Sequence, residues 1–223
     1  MEEIVETLRR INKEALILCK KAYSARKVSL DKINLSTVKF FIRAEQIKIT
    51  HISLSFFQQF KDNFFEEILN HYKNLKIFTI NLNFLFQEDI KDKLFEKLSN
   101  FTLKENIQTF IAEDSMLKPK NLDLLFKSNL LQNVKKLQLP RNNLGIQGIE
   151  SIFNSDRLKH IKELDLSSND IREDGALVIA RSTNLPYLLK LDLRMNKIGD
   201  NGFKNLISSV NYPYLQDLRL DGN

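Results

Sequence analysis

Residues 161–171 read IKELDLSSNDI, and this spacing of two leucines and an asparagine recurs through the C-terminal part of the chain. The shared pattern is aliphatic-x-x-Leu-x-Leu-x-x-Asn, where x is any residue, and its copies begin 27 residues apart at Val134, Ile161, Leu188 and Leu215. Two more columns keep this period, with aliphatic residues at Leu144, Ile171 and Ile198 and glycines at Gly148, Gly175 and Gly202. Such a fixed period predicts a repeat protein, in which each unit packs on its neighbours.

The hydrophobic period changes halfway through each unit. Leu137 and Leu139 alternate with Gln138, so the two leucines lie on one side of a short strand and Gln138 lies on the other. Farther along the same unit, Ile149 and Phe153 are four residues apart, which places them on one face of a helix. Each unit therefore reads as strand, turn and helix. Stacked units of this kind predict a curved parallel sheet with helices along one side.

The pattern Leu-x-x-Leu-x-Leu-x-x-Asn-x-Ile-Gly, repeated every 27 residues, resembles the ribonuclease-inhibitor type of leucine-rich repeat. The resemblance is close over 134–223, partial over 107–133 and slight over 26–106. It implies an α/β leucine-rich-repeat solenoid, or horseshoe, with parallel strands on the concave face and helices on the convex face. Partner proteins are usually held on the concave face in this family. The family includes inhibitors, GTPase-activating proteins, actin-capping proteins and bacterial effectors, so the resemblance does not fix one role.

Upstream of the regular units the pattern weakens. Altered copies begin, going back along the chain, at Ile107, Ile77, Ile49 and Leu30, the last being a candidate cap strand over Leu30–Val38. This alignment places Ile80 level with Ile52 and Phe110. We therefore predict degenerate repeats over 26–106 and regular repeats of 27-residue period over 107–223, with the last repeat incomplete.

The first 25 residues carry one apolar stripe at steps of three and four, formed by Ile4, Leu8, Ile11, Ala15, Leu18 and Ala22. This spacing predicts an amphipathic helix. We interpret residues 1–25 as an N-terminal helical cap over the first strands. A coiled coil is the alternative, but three heptads are a short stretch for one.

The strand residues that alternate with the leucines form three rows on the predicted concave face, on strands about 4.8 Å apart. The first row is His51, Thr79, Thr109, Lys136, Glu163, Lys190 and Asp217. The second row is Ser53, Asn81, Ile111, Gln138, Asp165, Asp192 and Arg219. The third row is Ser55, Asn83, Glu113, Pro140, Ser167, Arg194 and Asp221. The rows are neutral and polar at first and then densely charged with mixed sign.

The charges allow two interpretations. In the first, they neutralise one another on a solvated sheet, although exposed pairs contribute only ~0.2–1 kcal/mol each. Asp165 beside Asp192 would even be mildly repulsive and gain nothing for the fold. In the second, which we favour, the face binds a partner, because complementary charge speeds association and rejects wrong partners. We predict partner contacts at His51, Lys136, Gln138, Glu163, Asp165, Lys190, Asp192, Arg194, Asp217, Arg219 and Asp221.

The recurring asparagines and glycines are interpreted as scaffold. The amides of Asn142, Asn169, Asn196 and Asn223 are expected to bond the backbone of the adjacent turn, which a strand end leaves unpaired. The glycines lack the Gly-x-Gly or Gly-Lys-Ser/Thr context of a phosphate loop. We expect them to give room at the start of each helix.

No motif indicates catalysis, a metal or a cofactor. His51, His71 and His160 are the only histidines and no two have helical metal spacing, while the single Cys19 cannot complete a thiolate site. No nucleophile elbow or acid–base motif is found. The net charge of +6 is spread along the chain rather than gathered in a basic stripe, which disfavours nucleic acid as a partner.

The sequence also bears on location. A single cysteine favours a reducing compartment, and the acidic Met1-Glu2-Glu3 start with only short apolar runs predicts neither a secretory signal nor membrane insertion. We expect an intracellular, cytoplasmic protein, in its own cell or in a host cell if it is a translocated effector. Asn223 completes a strand motif with no helix after it, so that strand is expected to pair or be covered, and the oligomeric state stays open.

The sequence thus predicts a non-catalytic protein-binding module that captures a partner protein on its concave charged face, as an inhibitor or regulator. A GTPase-activating or enzyme-linked regulatory subunit is the alternative.

Overall fold

The computed structural model describes the strands 27–29, 51–55 and 77–81, the helical residues 92–93, 95–96 and 98–99, and all of 107–223. The predicted helical cap over 1–25 and the candidate cap strand over Leu30–Val38 lie outside the described residues. A strand is instead present just before that segment, at Lys27–Ser29. The predicted division of the chain at residues 25 and 106 stays a prediction.

The described residues contain eight strands, which form one parallel sheet in which neighbours in sequence are neighbours in space. The strands are β1 Lys27–Ser29, β2 His51–Ser55, β3 Ile77–Asn81, β4 Thr109–Ala112, β5 Lys136–Gln138, β6 Glu163–Asp165, β7 Lys190–Asp192 and β8 Asp217–Arg219. The helices described beyond residue 107 are α1 Pro119–Lys127, α2 Gly145–Phe153, α3 Arg172–Arg181 and α4 Gly199–Ile207. Strand and helix alternate from β4 onward, as the change of hydrophobic period predicts.

The core lies between the sheet and the helices. Leu137, Leu164 and Leu191 each lie at the middle of a strand and are at most 2% exposed. Ile149 of α2 and Ile179 of α3 are fully buried in the same cluster. Apolar side chains from both elements therefore enter one continuous core. None of the helices described after residue 107 covers the opposite side of the sheet.

The pairing of β3 differs from the alignment by two residues. Phe78, and not Ile80, pairs with both Ile52 and Phe110. The first row therefore contains Ile77 instead of Thr79, and the second contains Thr79 instead of Asn81. Because side chains alternate with a period of two, an even shift keeps the same residues on the same side of the sheet. The hydrophobic pattern alone could not distinguish the two registers.

The asparagine column links each unit to the one before it. Oδ1 of Asn169 accepts hydrogen bonds from the backbone N–H of Asn142 at 2.9 Å and Leu144 at 3.4 Å. Its amide nitrogen donates to the carbonyl oxygens of Leu139 and Leu166 at 2.8 and 2.9 Å. Asn142, Asn196 and Asn223 make the corresponding bonds in their own units. These are the hydrogen bonds that a scaffold role requires.

The glycine column leaves space where each helix begins. A Cβ atom added at Gly148 or Gly175 would lie 2.7 Å from the side chain of Leu144 or Ile171, respectively. Such a contact is far inside van der Waals distance, so these positions serve close packing within the first helical turn. Among the described residues no helix is long and apolar enough to cross a membrane.

Candidate partner-binding face

The side of the sheet away from the helices carries the charged rows. In β5 and β6 the outer residues of each strand are half-buried while the central leucine is buried. We call this surface the charged face and define it by Lys136, Gln138, Glu163, Asp165, Lys190, Asp192, Arg194, Asp217, Arg219 and Asp221. Parallel pairing aligns the rows from β5 to β8 as the sequence predicts, with Gln138 opposite Asp165 and Asp165 opposite Asp192.

A recess of about 250 Å³ lies in the charged face. Its lining contains nine of the ten residues of the face, together with Leu164 and Leu191. Asp221, the tenth, lines a neighbouring recess of about 570 Å³ near the ends of the strands. The structure thus brings the predicted residues of β5 to β8 together on one surface. Their partner-binding role stays a prediction.

His51, the remaining predicted contact, lies in β2. The pairing places it in the same row as Lys136, with Ile77 and Thr109 between them. Its side chain lies outside what the structure describes, so its contact role also stays a prediction.

Glu163 occupies the centre of the first row. Its carboxylate lies 3.4 Å from Nζ of Lys136 and 3.3 Å from Nζ of Lys190, so one anion joins three strands. Burial alone would raise the pKa of Glu163, but the hydrogen bonds and charges of Lys190 and Lys136 outweigh it and leave this pKa below its usual value. Glu163 is therefore ionised at neutral pH, and the row alternates in sign.

Asp192 is the most enclosed carboxylate among the ion pairs of the charged face, with its side chain only 12% exposed. It accepts two parallel hydrogen bonds from Arg194, at 2.9 Å from Nε and 2.6 Å from Nη2, and Arg219 approaches to 4.0 Å. Such fork-shaped pairing is among the stronger polar contacts. Asp192 therefore holds Arg194 in place, whereas the mild repulsion expected between Asp165 and Asp192 stays a prediction.

Asp165 has a different environment from its neighbour Asp192. Its Oδ1 accepts hydrogen bonds from the backbone N–H and the hydroxyl of Ser167, at 2.9 and 2.7 Å. Within the described part of the chain no lysine or arginine forms an ion pair with it. The two aspartates are thus equivalent in register and unequal in chemistry.

The second recess contains residues that the sequence did not single out. Arg141 pairs with Glu113 at 3.3 Å, and Met195 is 63% exposed. Both belong to the turn after a strand and have a positive φ, of 58° and 57°. Arg141 stands one position before Asn142, and Met195 stands one position before Asn196. The two residues are therefore at equivalent positions of the repeat, and the 27-residue period could have indicated that they lie on the same surface.

The described residues contain no group of three or more histidine, cysteine or acidic side chains that could hold a metal ion. His160 lies on a loop, with Nε2 2.8 Å from the carbonyl oxygen of Leu131. That contact joins two adjacent units and gives the imidazole a structural role.

Comparison with known proteins supports the repeat assignment. The family described as Leucine Rich repeat matches residues 157–180 and 184–206, and each matched segment contains a strand with nearly all of the helix that follows it. An internalin crystal structure from Listeria monocytogenes is 17% identical and covers 86% of this chain, with a TM-score of 0.38. The match spans 46% of the internalin chain, and a likeness at this level carries no argument about fold or function.

No curated protein matches the sequence. The ribonuclease-inhibitor subtype is not confirmed and stays a prediction. Two segments of the chain thus match the leucine-rich-repeat family, and the described residues have the α/β solenoid fold of parallel strands that alternate with helices.

Proposed function

We propose that this protein is a non-catalytic binding module that captures a partner protein on its charged face. The observation that carries the proposal is the alignment of nine charged side chains on one helix-free side of the sheet. Leucine-rich repeats are in general protein-binding modules, which supports the class of function. Inhibition or regulation of the partner is the specific role that we propose.

Stability alone does not account for so many charges. The lysines and arginines of these pairs are between 41% and 52% exposed, and exposed pairs of this kind contribute ~0.2–1 kcal/mol each. Uncharged side chains would serve a solvated sheet equally well, as Thr109 and Ile111 do in β4. The charged side chains lie on strands whose central leucines are buried, so the charges are already arranged before a partner binds. Charges arranged in this way are suited to recognition.

The proposal is tested by affinity capture with the full chain as bait. The face variant is Lys190→Gln with Arg219→Gln, which removes two half-exposed cations and keeps the direct pair between Asp192 and Arg194. The matched control is Arg181→Gln with Lys204→Gln, which removes the same charge from exposed positions on α3 and α4. We expect the partner captured by the wild type to be retained by the control and lost or depleted with the face variant.

Equal capture by all three proteins would place the binding site elsewhere and overturn the proposal. A captured GTPase gives the test of the regulatory alternative. Accelerated GTP hydrolysis in the presence of this chain would favour a GTPase-activating role over simple occlusion.

We also propose that the protein acts inside a cell, in its own cytoplasm or in that of a host. The single cysteine in 223 residues supports a reducing compartment. Fractionation of cells that produce the native protein tests this location, and recovery from the extracellular fraction alone would contradict it.

A further inference from the structure

Two polar side chains at the centre of the charged face retain hydrogen-bonding capacity. Both bonds from Ser167 go to Oδ1 of Asp165, and no described group donates to Oδ2. Gln138, the register partner of Asp165 on β5, makes no side-chain hydrogen bond with any described residue. No buried polar side-chain atom in the described residues lacks a partner, so these free atoms are accessible from solvent. Both side chains are therefore open to a partner.

The ionic groups around this pair are already engaged. Glu163 holds both lysines of the first row. Asp192 holds Arg194, and Arg219 lies between Asp192 and Asp217. Asp165 is thus a carboxylate beside a second carboxylate, with no cation of its own in the described chain. Arg194, whose charge also acts on Asp165, is already paired with Asp192, so Oδ2 of Asp165 has no described hydrogen-bond donor.

The shape of the surface leads to the same two residues. Gln138 and Asp165 line both the recess of about 250 Å³ and the recess of about 570 Å³, so they lie where the two meet. Ile111 is opposite Gln138 on β4 and lines the larger recess. A long side chain that enters there can lay its aliphatic stem on Ile111 and bring its polar end to Asp165.

We propose that Asp165 and Gln138, with Ile111 beside them, form a cation socket that receives a lysine or arginine side chain of the partner protein. The proposal rests on the proposed function, because it names the chemistry of the partner at the same face. An ammonium or guanidinium group only donates hydrogen bonds, whereas Oδ2 of Asp165 and the amide oxygen of Gln138 only accept them. Charge-assisted bonds of this type are stronger than neutral ones.

The test uses a displayed library of random peptides, selected on the immobilised full chain. The selected peptides are synthesised and their affinities are measured for the wild type and for Asp165→Asn, Gln138→Glu and Asp200→Asn. Asp165→Asn keeps an oxygen for Ser167 and removes only the charge. Asp200→Asn is the matched control, since Asp200 is exposed on α4, away from the charged face, and forms no ion pair among the described residues.

We expect the selected peptides to be rich in lysine and arginine. Asp165→Asn should weaken their binding about tenfold or more, whereas the control should change it less than about twofold. Gln138→Glu should strengthen binding, because it adds a second carboxylate to the socket. Replacement of the basic residue in a peptide by norleucine should abolish the difference between the wild type and Asp165→Asn.

The failures are distinguishable. If the Lys190→Gln, Arg219→Gln variant changes peptide affinity but Asp165→Asn behaves like Asp200→Asn, the charged face binds peptides and the socket is wrong. If no face variant changes peptide affinity, or if selection yields no binder, both the socket and the proposed function are contradicted. If Asp165→Asn has a lowered unfolding temperature, the binding of peptides by Gln138→Glu decides whether the socket exists. Unchanged or weaker binding by Gln138→Glu then overturns the socket.

Discussion

The unit that begins at Ile107 and the unit that begins at Ile161 have similar backbones and different side chains. Both make the same left-handed turn after the strand, with a φ of 48° at Asp114 and Met116 and of 57° and 53° at Ser168 and Asp170. The residue between them is Ser115 in one unit and Asn169 in the other, and both are fully buried. The turn conformation is therefore retained although its side-chain support has changed.

The same two units differ where the helix begins. A side chain does not fit at the position of Gly175. The equivalent residue of the earlier unit is Asn121, which is polar and fully buried. Asn121 accepts a hydrogen bond from the N–H of Lys118 at 3.0 Å and donates to Asp92 at 2.9 Å. A side chain is tolerated in the glycine column where both its polar ends find partners.

The strand side chains show the third difference. Thr109 and Ile111 of β4 occupy the positions that Glu163 and Asp165 occupy in β6. Since β4 pairs in the same sheet without these charges, the scaffold does not require them. The buried strand and turn residues therefore build the repeat, whereas the charged strand residues distinguish the charged face.

The largest expected effect tests the part that the two units share. Phe110 and Leu164 occupy the same core position, at 0% and 2% exposure. Replacement by alanine leaves a cavity, and we expect losses of ~2–5 kcal/mol in the free energy of unfolding for either variant. Denaturant unfolding measures this. Ile146→Ala, at a 40% exposed position, is the control and should lose much less.

A smaller effect should distinguish the two turns. Asn169→Ala leaves the backbone groups of Asn142, Leu139 and Leu166 without their amide partner. We expect a loss of ~1–3 kcal/mol in the free energy of unfolding from these unpaired groups. Ser115→Ala removes a hydroxyl that donates to the carbonyl of Glu113 and should cost less. Equal losses of stability in the two variants would contradict the proposed difference in the side-chain support of the two turns.

Much of this organisation follows from the sequence. The 27-residue ladder correctly aligned β5 to β8, because leucine and asparagine columns in phase allow only one register. Around β3 the apolar residues Phe78, Ile80 and Leu82 alternate in either of two registers. Asn83, three residues after Ile80, stands at the asparagine spacing of the observed register, so the sequence contained a signal that the alignment missed.

The site was predictable as a row of residues but not as a network of contacts. Asp165 and Asp192 are equivalent in the sequence pattern, yet Ser167 follows one and Arg194 follows the other at the same spacing. A pairing between residues two apart on a strand depends on the rotamers that both adopt. Arg141 and Met195 were missed because they belong to the turns rather than to the strands.

The smallest expected effect is on the pH dependence of stability, and it arises from Glu163 of the charged face. The lowered pKa of Glu163 means that its ionised form is favoured by folding, so its contribution is present above the unfolded pKa of about 4.3. That contribution is lost as the pH falls through the folded pKa. Wild type should therefore lose more stability than Glu163→Gln between about pH 7 and about pH 3, by less than about 1 kcal/mol. An equal or larger loss in the variant would contradict the bridging role of Glu163.

Lysine acetylation of the partner-bound protein, quantified by mass spectrometry, tests most directly whether the charged face is the binding surface. Lys136 and Lys190 report on that face, and Lys204 of α4 reports on the helical side. The account predicts that partner binding slows acetylation of Lys136 and Lys190 and leaves Lys204 unchanged. Protection of Lys204 with Lys136 and Lys190 still fully reactive would show that the partner binds the helices instead.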